Sequence, residues 1–208
     1  MDTLSQLFGT TLKVKLLRLF LFNKGTSYDV MHIEDKTGAR ARDIEKEIAA
    51  LKKMGLIKAS SLSRIVQIKK GKKIIEKKKQ FKAWTLDSNF EFAEPLSDFL
   101  IKTHSLEDRA IVRRLEKVGK IKAVVVAGIF LRDSESRIDM FIVGDNIKQS
   151  SLDKVIKSIE SEMGKDVRYV MLTGSDFEYR ISMNDKLVRD VLDFPHKLLL
   201  NKIGIVSK

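Results

Sequence analysis

The sequence of 208 residues predicts a two-domain protein of the α+β / α/β class. Residues 1–90 form three helices and a basic strand pair, and residues 91–208 form a mixed α/β domain. Three observations carry this. Apolar residues recur every three or four positions over Leu12–Phe20 and Ile44–Met54, the period of a helix with one buried face. The period then changes around Arg64 to one that suits strands. Beyond residue 120, apolar β-branched runs alternate with helical patterns, which is how a buried sheet with covering helices reads.

In the first domain, Leu12, Leu16, Leu17, Leu19 and Phe20 give a helix ending near Asn23-Lys24-Gly25. A second helix spans about Tyr28–Lys36 and breaks at Thr37-Gly38. A third runs from about Ala39 to Met54, with Ile44, Ile48, Leu51 and Met54 inward and Gly55 at the position of a C-terminal cap. Arg64–Ile68 then reads as a strand, Lys69–Lys73 as a turn, and Phe81–Leu86 as the returning strand. Leu4, Leu7 and Phe8 read as an extra turn packed on the core, with part of a dimer seam as the alternative.

Charge separates the halves more sharply than composition does. Residues 1–90 carry 20 Lys and Arg against 9 Asp and Glu, whereas residues 91–208 carry 20 against 19. Lys58–Lys82 alone holds ten basic residues and one acid, Glu76. A basic half beside a neutral one points to a polyanionic partner, and nucleic acid above a merely solvated hairpin.

Three helices followed by a basic hairpin outline a winged helix-turn-helix. The segment Ile48-Ala49-Ala50-Leu51-Lys52-Lys53-Met54-Gly55-Leu56-Ile57-Lys58 resembles the end of the recognition helix and the lead into the wing in bacterial and archaeal (ArsR-like) winged-helix transcriptional regulators. In a helix-turn-helix the second helix of the pair enters the major groove by its N-terminal end. Here that end carries Arg40, Arg42, Asp43 and Lys46. Arg40 or Arg42 suits a bidentate pair with a guanine edge, and Lys46 suits a phosphate. Lys69, Lys70, Lys72 and Lys73 of the wing would follow the backbone or the adjacent minor groove. Asp43 either reads a cytosine amine or points away.

In the second domain, Glu94-Pro95 opens a helix that breaks near Thr103-His104-Ser105, and another covers Leu106–Val118. Strands are expected over Ile121–Gly128, Arg137–Gly144 and Val167–Leu172, with a turn at Leu131–Ser136. Helices are expected over Ser151–Met163, Asp176–Met183 and Asp185–Leu192, before a last apolar run, Lys197–Leu200. A strand, a glycine, a short turn and a strand with an acid resembles the core of the nucleotidyltransferase fold. That family places Gly-Ser after the first strand, Asp-x-Asp on the second and a third carboxylate later, because clustered carboxylates hold the metal that bridges nucleotide phosphates. Here Ile129 follows Gly128, and Arg137-Ile138-Asp139 stands where two acids belong. A lone Asp139 cannot assemble a two-metal site, and Arg137 is expected to pair with it. Neither Asp166 nor Arg168 supplies the third carboxylate.

The resemblance therefore implies a catalytically inert, degenerate nucleotide site at Gly128, Arg137 and Asp139, with no catalytic residue, metal or cofactor. Arg132, Arg137 and Lys122 leave room for a small anionic ligand. Residues Asp176–Ile181 through Asp190–His196 also resemble the C-terminal part of bacterial proteins that join a winged helix to this degenerate domain. The absence of Cys excludes disulfides, Cys-ligated zinc and a thiol nucleophile, and His32, His104 and His196 are too scattered for a metal motif. No apolar run reaches a membrane span and no signal peptide opens the chain, so a soluble, cytoplasmic, reducing setting is expected. The expected function is a transcriptional regulator binding double-stranded DNA as a homodimer, its second domain serving dimerisation, ligand sensing or a protein partner. The alternatives are an active nucleotidyltransferase using Asp139, and a binding module of toxin–antitoxin or RNA-adaptor type.

Overall fold

The structure, a computed structural model, describes residues 3–70, 73–102, 107–133 and 135–205, with backbone alone at 68–70 and 73–75. The fold is mixed α and β with two small sheets. The chain divides into two compact units, Met1–His104 with Ser161–Lys165, and Ser105–Glu160 with Asp166–Lys208. Among the described residues no helix is long and apolar enough to cross a membrane.

The first unit opens with a short helix α1 (Thr3–Phe8). Leu4 is buried and Phe8 meets Phe99 edge-on at 6.3 Å, so this segment packs on the core as an extra turn, while Leu7 faces solvent. Helix α2 (Thr11–Phe22) is capped by the Thr10 hydroxyl, which accepts from the Lys13 N–H. Its Leu16, Leu17, Phe20 and Leu21 are buried. Helix α3 (Val30–Thr37) begins at the Asp29 cap, and α4 (Ala41–Lys53) follows a three-residue turn. Ile44, Ile48 and Leu51 of α4 are buried as their spacing requires, whereas Met54, expected inward with them, is exposed because it lies past the last turn of the helix. Gly55, at φ 81°, takes the left-handed conformation that ends α4, and the Leu56 N–H closes the cap on the Leu51 carbonyl.

The strand pair is longer than the sequence suggests. Strands β1 (Ile57–Lys70) and β2 (Lys73–Leu86) pair antiparallel in unbroken register from Ile57↔Leu86 to Lys70↔Lys73. The expected Lys69–Lys73 turn thus shrinks, and Lys77, Lys78 and Lys79 lie in a strand. Lysine runs are poor strand formers in isolation, but Val66 and Ile65, opposite Lys77 and Lys78 in the ladder, supply the propensity they lack. Tyr28, just ahead of α3, adds a one-residue bridge to Trp84, with both backbone hydrogen bonds at 2.9 Å. Helix α5 (Ala93–Lys102) buries Leu100 in the same core, with Pro95 in its first turn. The break expected at Thr103–Ser105 lies outside the described residues.

In the second unit, α6 (Asp108–Leu115) leads into β3 (Lys120–Val126), β4 (Met140–Asp145), α7 (Gln149–Met163, whose last three residues belong to the first unit) and β5 (Tyr169–Leu172). Then come α8 (Gly174–Ser182), α9 (Lys186–Leu192) and β6 (Lys197–Asn201). The sheet order is β5-β4-β3-β6, with β4 parallel to β5 and antiparallel to β3, and β6 antiparallel to β3. Val125, Phe141 and Val143 are buried with Phe177, Val188 and Val191, and the alternate set Val124, Val126 and Ile142 is buried too. Burial on both faces explains why β3 and β4 read as continuous apolar runs instead of alternating. The last apolar run, unassigned from sequence, is the edge strand β6.

Candidate functional site

Two places collect the residues singled out from sequence. The first is the outer side of α4 with the hairpin. Arg40 is the residue before α4, and with Arg42, Asp43 and Lys46 it is exposed, opposite the buried Ile44–Ile48 stripe. Asp43, in the first turn, complements the positive end of the helix dipole. The one acid on the inner side, Glu47, accepts from the Thr10 hydroxyl at 2.8 Å and lies 3.5 Å from the Lys13 ammonium. It therefore adds no free negative charge to the outer face.

Along the hairpin, Lys77, Lys78, Lys79 and Lys82 are exposed. Lys79 lies over the Phe81 ring and Lys82 over Trp84, each at 5.5 Å. These cation–π contacts hold the lysine stems on the strand while leaving the ammonium groups in solvent. Lys69, Lys70 and Lys73 are strand positions by backbone, and Lys72 lies outside the described residues. The basic ladder thus extends well below the expected tip. Sequence reasoning misses Lys77–Lys79 because a lysine run reads as loop, although the flanking Val66 and Phe81 signal a longer strand. A groove of about 740 Å³ separates α3, α4 and the hairpin, lined by Met31, Glu34, Glu45, Ile48, Phe81 and Trp84 among others.

The second place is the start of β4. Asp139 is 0% exposed. Its Oδ1 accepts from the Ile129 N–H and Arg168 Nη2, each at 3.0 Å, and its Oδ2 accepts from the Arg168 N–H and Nε, each at 2.9 Å. Four donors occupy the roughly four lone-pair sites of a carboxylate, leaving none for a cation. Burial pushes the Asp139 carboxyl up, but the Arg168 side chain and the two backbone N–H groups outweigh it and hold it below the usual carboxylate range.

The expected Arg137–Asp139 pair does not form. Arg137 lies on the strand's approach, is mostly exposed, and sits 3.8 Å from Asp190. Arg168, just before β5, takes its place because β5 runs parallel beside β4 and brings its entry to the same edge. The signal is a lone arginine and a lone buried-strand aspartate, which sequence separation hides. Gly128 does join Asp139: it has φ 51°, and a Cβ there would collide with Asp139 Oδ1. The glycine makes room for the carboxylate of this chain rather than for a phosphate. Gly128→Ala is expected to destabilise by about 2 kcal/mol or more, from the left-handed backbone and the clash together. An unchanged thermal midpoint would contradict this cradle.

Lys122, suggested as an anion contact, pairs instead with Asp145 at 2.7 Å. Asp145 also accepts from the Gly174 N–H, and its carboxyl is held below the usual range by the Lys122 hydrogen bond and then by that N–H. Among the described residues no three His, Asp or Glu side chains gather as metal ligands. Comparisons of the chain with protein-family models, curated proteins and solved structures found no match.

Proposed function

We propose that the chain is a DNA-binding transcriptional regulator: the first unit is a winged helix-turn-helix, and the second is a nucleotidyltransferase-like domain without catalytic activity. The observation that carries the reading is the exposed row Lys77, Lys78, Lys79 and Lys82 of β2 beside an α4 whose N-terminal end bears the exposed Arg40, Arg42 and Lys46. The Tyr28–Trp84 bridge supports the winged-helix assignment, because it joins the chain before the helix pair to the hairpin. In this reading α4 enters the major groove by its N-terminus, and the lysines lie along phosphates.

The saturated Asp139 supports an inert second unit. A carboxylate already holding four hydrogen bonds cannot also hold a divalent ion. The remaining roles of this unit are dimerisation or recognition of an anionic ligand or a protein partner. A homodimer reading two half-sites in the cytoplasm completes the proposal.

The test is a titration of labelled duplex DNA across salt concentrations. Affinity should fall steeply with salt, and replacing Lys77, Lys78 and Lys79 by Gln should flatten the log–log slope by about 0.9 for each phosphate no longer neutralised. A slope unchanged by the triple substitution would remove the hairpin from the interface. Incubation with labelled nucleotides and magnesium or manganese should give no incorporation above the protein-free background.

A further inference from the structure

We infer that the Asp29–Arg64 ion pair is the brace that orients the hairpin against the helix pair, making Arg64 a positioning residue for the wing lysines and not itself a phosphate contact. The inference rests on the DNA-binding reading above. Asp29 follows the Tyr28–Trp84 bridge and caps α3, and it is buried. Its Oδ1 accepts from the His32 N–H at 2.9 Å and faces His32 Nδ1 at the same distance. Its Oδ2 is engaged by Arg64 Nη2 on β1.

Capping α3 needs only one carboxylate oxygen. The second is committed to the hairpin. Arg64, in turn, stands opposite Lys79 in the ladder, with Lys77 and Lys78 next along the strand. Like charges facing each other across a strand pair are unfavourable, so the hairpin by itself gives Arg64 no reason to be there. The Asp29 carboxylate supplies one, and the Phe81 ring, 4.4 Å from the guanidinium carbon, supplies the platform that directs the side chain. A guanidinium held this way is not free to follow a phosphate.

Geometry shows why a brace is needed. The groove between α3, α4 and the hairpin is lined by Asp29 and Arg64 among others, so the ion pair spans it from the start of α3 to β1. The bridge fixes the hairpin at the level of Trp84, which pairs with Ala59. Arg64 lies five residues further toward the tip. The Ser27–Ser60 hydroxyl hydrogen bond at 2.8 Å sits beside the bridge, and the Asp29–Arg64 pair adds an attachment further out, which sets a direction where the inner contacts alone leave a pivot.

The chain has no cysteine, so spin labels can be placed cleanly at Lys53→Cys, on α4, and Lys78→Cys, on β2. In the DNA-free protein, Arg64→Met and Asp29→Asn should each broaden the label–label distance distribution. Asn retains a good N-cap, so Asp29→Asn separates loss of the brace from loss of α3. An unbroadened distribution in both variants overturns the inference.

The second readout is a cycle in duplex binding. Arg64→Met should weaken binding about tenfold in the native background and less than about twofold when Lys77, Lys78 and Lys79 are Gln, because coupled residues are not additive. Equal losses in both backgrounds would make Arg64 an independent contact and overturn the brace. If the unaltered protein binds no duplex, the DNA reading fails by itself, and the label distances still decide whether the pair orients the hairpin.

Discussion

Arg168→Met should destabilise the second unit by about 3 kcal/mol at pH 7, because it leaves the Asp139 carboxylate buried with its charge uncompensated. Half of the Arg168 side chain is exposed, which places the expected loss at the lower end of what breaking a buried pair costs. Asp139→Asn should cost a comparable amount, on the order of 2 kcal/mol, since an amide must turn an NH₂ toward donors that now have no acceptor. Hydrogen exchange of the β4 and β5 amides under increasing urea measures both.

The pH dependence of that loss identifies its cause. In the native protein the Asp139 carboxyl is held below its ordinary range on folding, burial opposing and the Arg168 and backbone hydrogen bonds prevailing. A carboxyl depressed by folding stabilises fully above its unfolded value, about pH 4, and that contribution is lost as pH falls through the lower folded value. Removing Arg168 moves the folded value up relative to the native protein, so acid favours the variant relative to the native chain. The gap between the two should therefore be largest near neutrality and narrow toward about pH 4. A gap independent of pH would mean that Arg168 contributes through packing and not through charge.

Arg40→Ala and Arg42→Ala should act differently, on sequence preference more than on stability. Both side chains are exposed, so folding should change by less than about 0.5 kcal/mol. If one of them pairs with a guanine edge, its removal should erase about 1–3 kcal/mol of discrimination at one base position while nonspecific binding persists. The hairpin lysines should show the reverse: weaker binding to every sequence and a flatter salt slope. An operator footprint left intact by both arginine changes would remove α4 as the reading helix.

Much of this architecture is legible in the sequence, and the misses have physical reasons. The helices are readable because one buried stripe imposes a period, as Ile44, Ile48 and Leu51 show. The strands β3 and β4 are readable because burial on both faces leaves uninterrupted Val and Ile. The full length of the hairpin is not, since Lys77–Lys79 owe their strand geometry to partners across the ladder. Sequence points to Arg137 as the partner of Asp139, and adjacency is a poor guide at the end of a strand. Arg137 precedes β4, so strand alternation does not place it beside Asp139 and it reaches Asp190 instead, whereas the parallel neighbour β5 delivers Arg168 to the carboxylate directly. Asp29 and Arg64 are equally hidden, separated by two helices along the chain and brought together beside the Tyr28–Trp84 bridge.

Selection from a random duplex library near physiological salt, with single-stranded RNA as competitor, decides whether the first unit reads duplex DNA. A winged helix that reads sequence should enrich a motif, palindromic if two copies bind together, that RNA does not displace. Tight binding without enrichment, or binding abolished by the RNA competitor, would contradict it.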